Sequence, residues 1–248
     1  MKNLSIFLFT LFALFLLLPT MSSYSQDLVQ PLLSAQDNFQ KGLNLFEDGQ
    51  YEQALPYFQE AVKKDPDYAE AYLKIGDCNA QLKKYITGIE AYQKSICINP
   101  YYDQTYLHLG ITYYELAQYQ QSIEALEKAL SIRETPAILN NLTKSHLALN
   151  NPEKAKSFLE QSLSIYHDNP ASHYLYGLYY LQLDKKEKAM LAFKRALLLN
   201  DQFVDAHFQL GKIYYQLHRY GLFEQEIQFL LEKDPEKAQE LEKMKSGV

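Results

Sequence analysis

Three glycines, Gly42, Gly76 and Gly110, stand 34 residues apart, and Gly177 and Gly211 repeat that spacing. The gap of 67 between the two groups holds one repeat of 33 and one of 34, with Thr143 in the glycine's place. Five of the nine glycines thus share one column. Self-similarity at this period marks a stack of short supersecondary units, none of which buries its apolar face alone.

Other columns keep step. A small residue recurs at Ala54, Gly88, Ser122, Ala155 and Ala189. A large apolar one follows at Phe58, Tyr92, Leu126, Leu159, Phe193 and Ile227, then a second small one at Ala61, Ser95, Ala129, Ser162 and Ala196. Tyr72, Ile75, Gly76 and Asn79 are spaced to share one face of a helix, and Gly88, Tyr92 and Ser95 share a face of the next. Glycine facing a small residue lets two helices approach closely. Pro66, Pro100 and Pro235 end second helices, because proline cannot continue the hydrogen-bond ladder. Thr135-Pro136, Asn151-Pro152 and Asn169-Pro170 read as N-caps followed by proline, and Asp67/Glu70 and Asp184/Glu187 as capping boxes.

These residues resemble the tetratricopeptide repeat family. Its Leu-Gly pair stands at Leu109-Gly110 and Leu210-Gly211, with Ile75-Gly76 as a variant. Its central tyrosine stands at Tyr113, Tyr180 and Tyr214, and its second-helix pattern at Ala54, Phe58, Ala61 and Pro66. The resemblance implies an all-α, right-handed α-solenoid (superhelix) of about six two-helix repeats. Their registers are 35–68, 69–102, 103–135, 136–169, 170–203 and 204–237, with a capping helix and tail over 238–248. Residues 26–34 read as a linker ending at Ser34. Four departures stand out: Lys41 before Gly42, Thr143 for glycine, Pro56 inside a second helix, which should loosen its first turn, and Phe223 in a small column, which should push that helix outward.

The first residues bear on compartment. Lys2 precedes an apolar run from Leu4 to Leu18, Pro19 ends it, and Ser23-Tyr24-Ser25 offers a cleavage site. The run is short for a hydrocarbon core of roughly 30 Å. A cleaved signal peptide over 1–25, and an extracytoplasmic (periplasmic or secreted) chain, is the expectation; a retained membrane anchor is the alternative.

A formal net charge of −6 with no Lys/Arg block argues against nucleic acid, and against a membrane partner unless the leader is retained. No metalloprotease, nucleotide-binding or nucleophile-elbow motif is present, and no cofactor, metal or catalysis is expected. His173 and His207 share the aromatic column of first helices and His146 the tyrosine column, where packing accounts for them better than a metal. Cys78 and Cys97 fall too far out of step for a disulfide and read as free thiols. The sequon Asn141-Leu142-Thr143 lies inside a predicted helix.

In the resembled family the first helices line a concave groove. Carried onto this sequence, the groove-facing positions are Phe39, Leu43, Phe46, Leu73, Asp77, Leu107, Ile111, Tyr114, Lys144, Tyr174, Leu178, Phe208, Lys212 and Tyr215, with Gln81, Asn140, Leu147 and Leu181 beside them. Some family members clamp acidic tails with Asn and Lys in this groove. The column here reads Leu43, Asp77, Ile111, Lys144, Leu178 and Lys212, which suits an apolar peptide, a partner helix or a second copy of the chain. Roughly a third of these side chains are expected to pack between first helices instead. The expected role is a protein-interaction scaffold, with self-association or membrane-tethered assembly as the alternative.

Overall fold

The computed structural model describes residues 34–246; the expected signal peptide, and the linker up to residue 33, lie outside the described residues. Thirteen helices follow one another, and no strand occurs among the described residues. The first helices are α1 (34–47), α3 (Ala69–Gln81), α5 (Asp103–Glu115), α7 (Pro136–Ala148), α9 (Pro170–Gln182) and α11 (Val204–Gln216). Their partners are α2 (Tyr51–Lys64), α4 (Tyr85–Ile98), α6 (Tyr119–Ile132), α8 (Pro152–Ile165), α10 (Lys186–Leu199) and α12 (Tyr220–Lys233), and α13 (Pro235–Ser246) closes the series. These are consecutive packed pairs, as the all-α solenoid class requires. The chain forms two compact units, one ending at His108 and one beginning at Leu109.

The glycine column works as its spacing implies. A methyl added at Gly42, Gly76, Gly110 or Gly177 would collide with Phe58, Tyr92, Leu126 or Phe193, the large side chain of the partner helix. Those four side chains are at most 1% exposed. Repeat six departs: Gly211 is met by Leu241 of α13, not by Ile227. Phe223, fully buried, occupies the space near Tyr215 with ring centroids 5.2 Å apart. The bulky residue in the small column is thus absorbed by handing the glycine to the capping helix. That helix starts at Pro235, three residues before the expected 238, because Asp234 accepts from Lys237 N at 3.1 Å and caps it.

Thr135, Asn151 and Asn169 cap their helices as expected, accepting from Ile138 N, Lys154 N and Ser172 N. The two capping boxes are corrected. Tyr68 and Lys185 stand at those N-cap positions without a side-chain cap. Asp184 instead takes a left-handed backbone at φ 53° in the turn before α10. Pro56 leaves α2 continuous from Tyr51 to Lys64, with Ala54 N still bonded to Gln50 O at 2.9 Å, so its first turn is not loosened. Cys78 is buried and Cys97 exposed, both free. Asn141 and Thr143 both lie inside α7, and Thr143 hydrogen-bonds Leu139 O.

Candidate functional site

The groove-facing positions divide by burial. Leu73 is wholly buried, and Phe39, Asp77 and Phe208 are at most 8% exposed. Asn140 is buried as well. A side chain in this state cannot touch a partner unless its helices separate, so these positions leave the candidate surface. The reason is local: Phe39 sits between Phe58 and Tyr68, at centroid distances of 5.5 and 4.8 Å. Leu43, Phe46, Leu107, Ile111, Tyr114, Tyr174, Leu178, Lys212 and Tyr215 are half-buried, as are Leu147 and Leu181, whereas Lys144 and Gln81 are exposed.

Several half-buried aromatics are held within their own repeats. Phe46, Tyr114 and Tyr215 meet Tyr51, Tyr119 and Tyr220 across the turn, at 5.1, 5.3 and 6.1 Å. The recurring tyrosine that opens a second helix thus clamps the last turn of the helix before it. Tyr174 packs on Phe193 and Phe203 at 5.5 and 5.0 Å, and burial pushes its hydroxyl up to about 12.

In the unit ending at His108, Asp77 gathers a polar cluster that sequence reasoning did not assemble. It accepts from Tyr92 Oη at 3.0 Å, His108 Nδ1 at 2.5 Å and Lys74 Nζ at 3.0 Å. Burial pushes this carboxyl up, but the His108 hydrogen bond and charge, together with Lys74, outweigh it and hold Asp77 below the usual carboxylate range. Lys74 also lies over the Phe46 ring, 4.9 Å from its centroid. The signal was latent in Lys74-x-x-Asp77, one helical turn apart, but His108 is 31 residues away and only the stacking brings it in.

In the unit beginning at Leu109, the first-helix residues are Lys144 and Leu147 of α7, Tyr174, Leu178 and Leu181 of α9, and Lys212 and Tyr215 of α11. Leu147 and Leu178 border the buried cluster of Leu159, Leu175 and Tyr179. Lys212 lies 5.0 Å from the Phe208 ring centroid and 3.8 Å from Glu240 of α13. On the second-helix side, a cleft of about 390 Å³ is lined by residues that include Tyr176, Tyr180 and Lys188.

The histidines are used locally. His173 Nε2 meets His167 O at 3.1 Å, and burial draws its pKa down. His207 Nδ1 lies 2.6 Å from Glu226, Nε2 lies 3.0 Å from Asp201 O, and the ring stacks on Phe229 at 3.7 Å. Burial opposes charge on His207, yet its hydrogen bond to Glu226 leads the effects that raise its pKa. Among the described residues no group of three or more His, Cys, Asp or Glu side chains could hold a metal ion. No described helix is long and apolar enough to cross a membrane.

Sequence profiles of the tetratricopeptide repeat match residues 39–103, 103–136 and 170–203, more than half the chain. The chain is a tetratricopeptide-repeat protein. Proteins of this family are protein–protein interaction scaffolds and are generally non-catalytic. No curated protein matches the chain. Among solved structures, PilF of Pseudomonas aeruginosa is 17% identical with a TM-score of 0.69, over 86% of this chain and 98% of that one. PilW, a type IV pilus biogenesis factor, is 18% identical with a TM-score of 0.74, over 84% and 97%. YrrB, a tetratricopeptide-repeat protein with an unusual peptide-binding site, is 16% identical with a TM-score of 0.51, over 75% and 97%. At these identities the likeness is one of fold.

Proposed function

We propose that this protein is an extracytoplasmic scaffold that holds a peptide or partner helix along the first-helix face of its second unit. The observation that carries this reading is a set of apolar side chains, Leu147, Leu178 and Leu181, left half-exposed on α7 and α9. Lys144 on α7 and Lys212 on α11 accompany them. Apolar side chains contribute the binding energy when a partner covers them, and the lysines favour a segment carrying acidic residues at its ends. The peptide-binding site named for YrrB is of the same kind. The leader-like start, Lys2 followed by Leu4 to Leu18, supports export.

Substitution separates this face from the rest of the surface. Leu178→Asp and Lys144→Glu are expected to abolish recovery of bound protein from the native cell, while Leu191→Asp, at a 64%-exposed residue of α10, leaves it intact. Equal recovery from all three would remove the first-helix face as the binding site. Export is read separately: N-terminal sequencing of the mature chain should begin near Gln26, and an intact Met1 would contradict cleavage.

A further inference from the structure

His146 lies in the tyrosine column of α7, where Tyr113, Tyr180 and Tyr214 stand in other repeats. It is 3% exposed, and neither Nδ1 nor Nε2 has a hydrogen-bond partner. Its ring lies nearly parallel to Phe158 of α8, 13° from coplanar, with centroids 5.6 Å apart. A neutral imidazole always carries one N–H, so the folded state already leaves a donor unsatisfied; a protonated ring leaves two donors and a charge. A tyrosine side chain, unlike histidine, gains no charge on acidification from neutral pH.

We infer that His146 makes repeat four the acid-sensitive part of the array: its ring cannot be charged while α7 and α8 are packed together, so acidification opens that hairpin ahead of the other repeats in residues 109–246. The helices packed against α7 offer no relief. On α8, Lys154 is a like charge that acts on the ring, whereas Glu153 is exposed and Glu160, also exposed, pairs with Lys156. On α9 there is no Asp, Glu, Lys or Arg, and its titratable groups are His173 and four tyrosines. On α6, Glu124, Glu127 and Lys128 are exposed. The negative end of α7 would favour a cation at His146. Burial nevertheless dominates and draws the ring's pKa below its ordinary value, with Lys154 adding to the effect.

Opening should spread through the turn. His146 O accepts from Asn151 N at 2.8 Å, and Asn150 beside it holds a left-handed backbone at φ 54°. Ser145, the preceding residue, ties α7 to Ser122 of α6 at 2.9 Å. The direction of the pH effect follows from proton linkage. The open state binds a proton near the ordinary histidine pKa of about 6.5 and the packed state binds it only at lower pH, so stability is full above that value and falls as pH drops through it.

Hydrogen exchange of the full chain at pH 7.5 and 5.5, corrected for the intrinsic effect of pH on exchange, tests this. Amides of α7 and α8 should lose protection about tenfold between the two conditions, since one proton is taken up on opening. Those of α11 and α12 should not. In His146→Tyr, which restores the column's residue, and in His146→Phe, the loss should vanish. An equal loss in either folded variant, a loss spread evenly over all repeats, or none in the parent chain would overturn the inference. Should neither variant fold, the ring's own titration in the parent chain, followed by NMR of 13C-labelled histidine, decides: a midpoint at or above 6.5 overturns it, and one below supports it.

Discussion

At the residue scale, the small column between repeats is matched in polarity. Ala61 lies with Ala71, and Ala196 with Ala206, in apolar clusters where all four are wholly buried. Where the column carries serine, its neighbour is polar too: Ser95 meets Thr105 at 3.0 Å, and Ser162 meets Ser172 at 2.9 Å. The second pair belongs to a directed chain. Ser172 donates to Asn140 Oδ1 at 2.9 Å, so Ser162 is the donor to Ser172, and Asn169 Oδ1 accepts from Ser172 N at 3.0 Å. A buried hydroxyl left without its partner costs more than the bond itself contributes. Ser172→Ala should therefore lower unfolding free energy by about 2 kcal/mol, stranding Ser162 and Asn140, and Ser162→Ala by about 1 kcal/mol. The double variant should cost less than the two combined, as read from urea unfolding. Strictly additive losses would mean the pair is not coupled. The sequence showed the column but not this pairing, because serine and alanine serve equally as small residues until the facing side chain is known.

At the element scale, the tight turns inside the repeats share one device. The second residue after the first helix adopts a left-handed backbone in all six: Gly49, Lys83, Ala117, Asn150, Asp184 and His218, at φ between 53° and 75°. Its own amide and the next one return to the helix, as where Ala117 N bonds Tyr114 O and Gln118 N bonds Tyr113 O. Only Gly49 suits this conformation without strain; a side chain with Cβ costs about 1–2 kcal/mol there, and asparagine or aspartate somewhat less. Ala117→Gly should therefore stabilise the chain by about 0.5 kcal/mol once the extra freedom of the unfolded glycine is counted. Thermal unfolding measures it, and a lower midpoint would show that Ala117 is not strained. Asp184 looks like a helix cap in the sequence, since aspartate serves caps and left-handed turns alike, and only the turn's geometry separates the two uses. Helix starts marked by Asx or Thr before proline were legible, because proline adds a second, independent constraint. The groove positions were half legible. Helical spacing put them on the first helices, but the burial of Phe39 depends on Phe58 and Tyr68, which lie outside its own helix and which spacing within one helix does not reveal.

At the scale of the array, each repeat leaves a face that a neighbour covers, and repeat six is followed by α13. The capping helix α13 takes that part with Ala238 and Leu241, both wholly buried in the cluster that includes Leu210, Phe223 and Leu230. Its hold differs in kind from that inside the other repeats, because Leu241 lies against Gly211 where a partner-helix side chain covers the glycine elsewhere. Repeat six is therefore a three-helix unit. Leu241→Ala should destabilise the chain by about 3 kcal/mol, as expected for a buried leucine truncated to leave a cavity. Gly211→Ala alone should also destabilise, by about 1–3 kcal/mol, since the new methyl meets Leu241. Combined, the methyl enters the space that the truncated leucine vacates, so the double variant should be more stable than the two losses together predict, by at least about 1 kcal/mol. At Gly177, where the obstacle is Phe193, pairing the same glycine substitution with Leu241→Ala should show no such recovery. Denaturant unfolding of the three single variants and the two doubles decides the matter. Additive behaviour at Gly211 would mean that α13 does not complete repeat six, and that the bulk of Phe223 is accommodated by some other shift of α12.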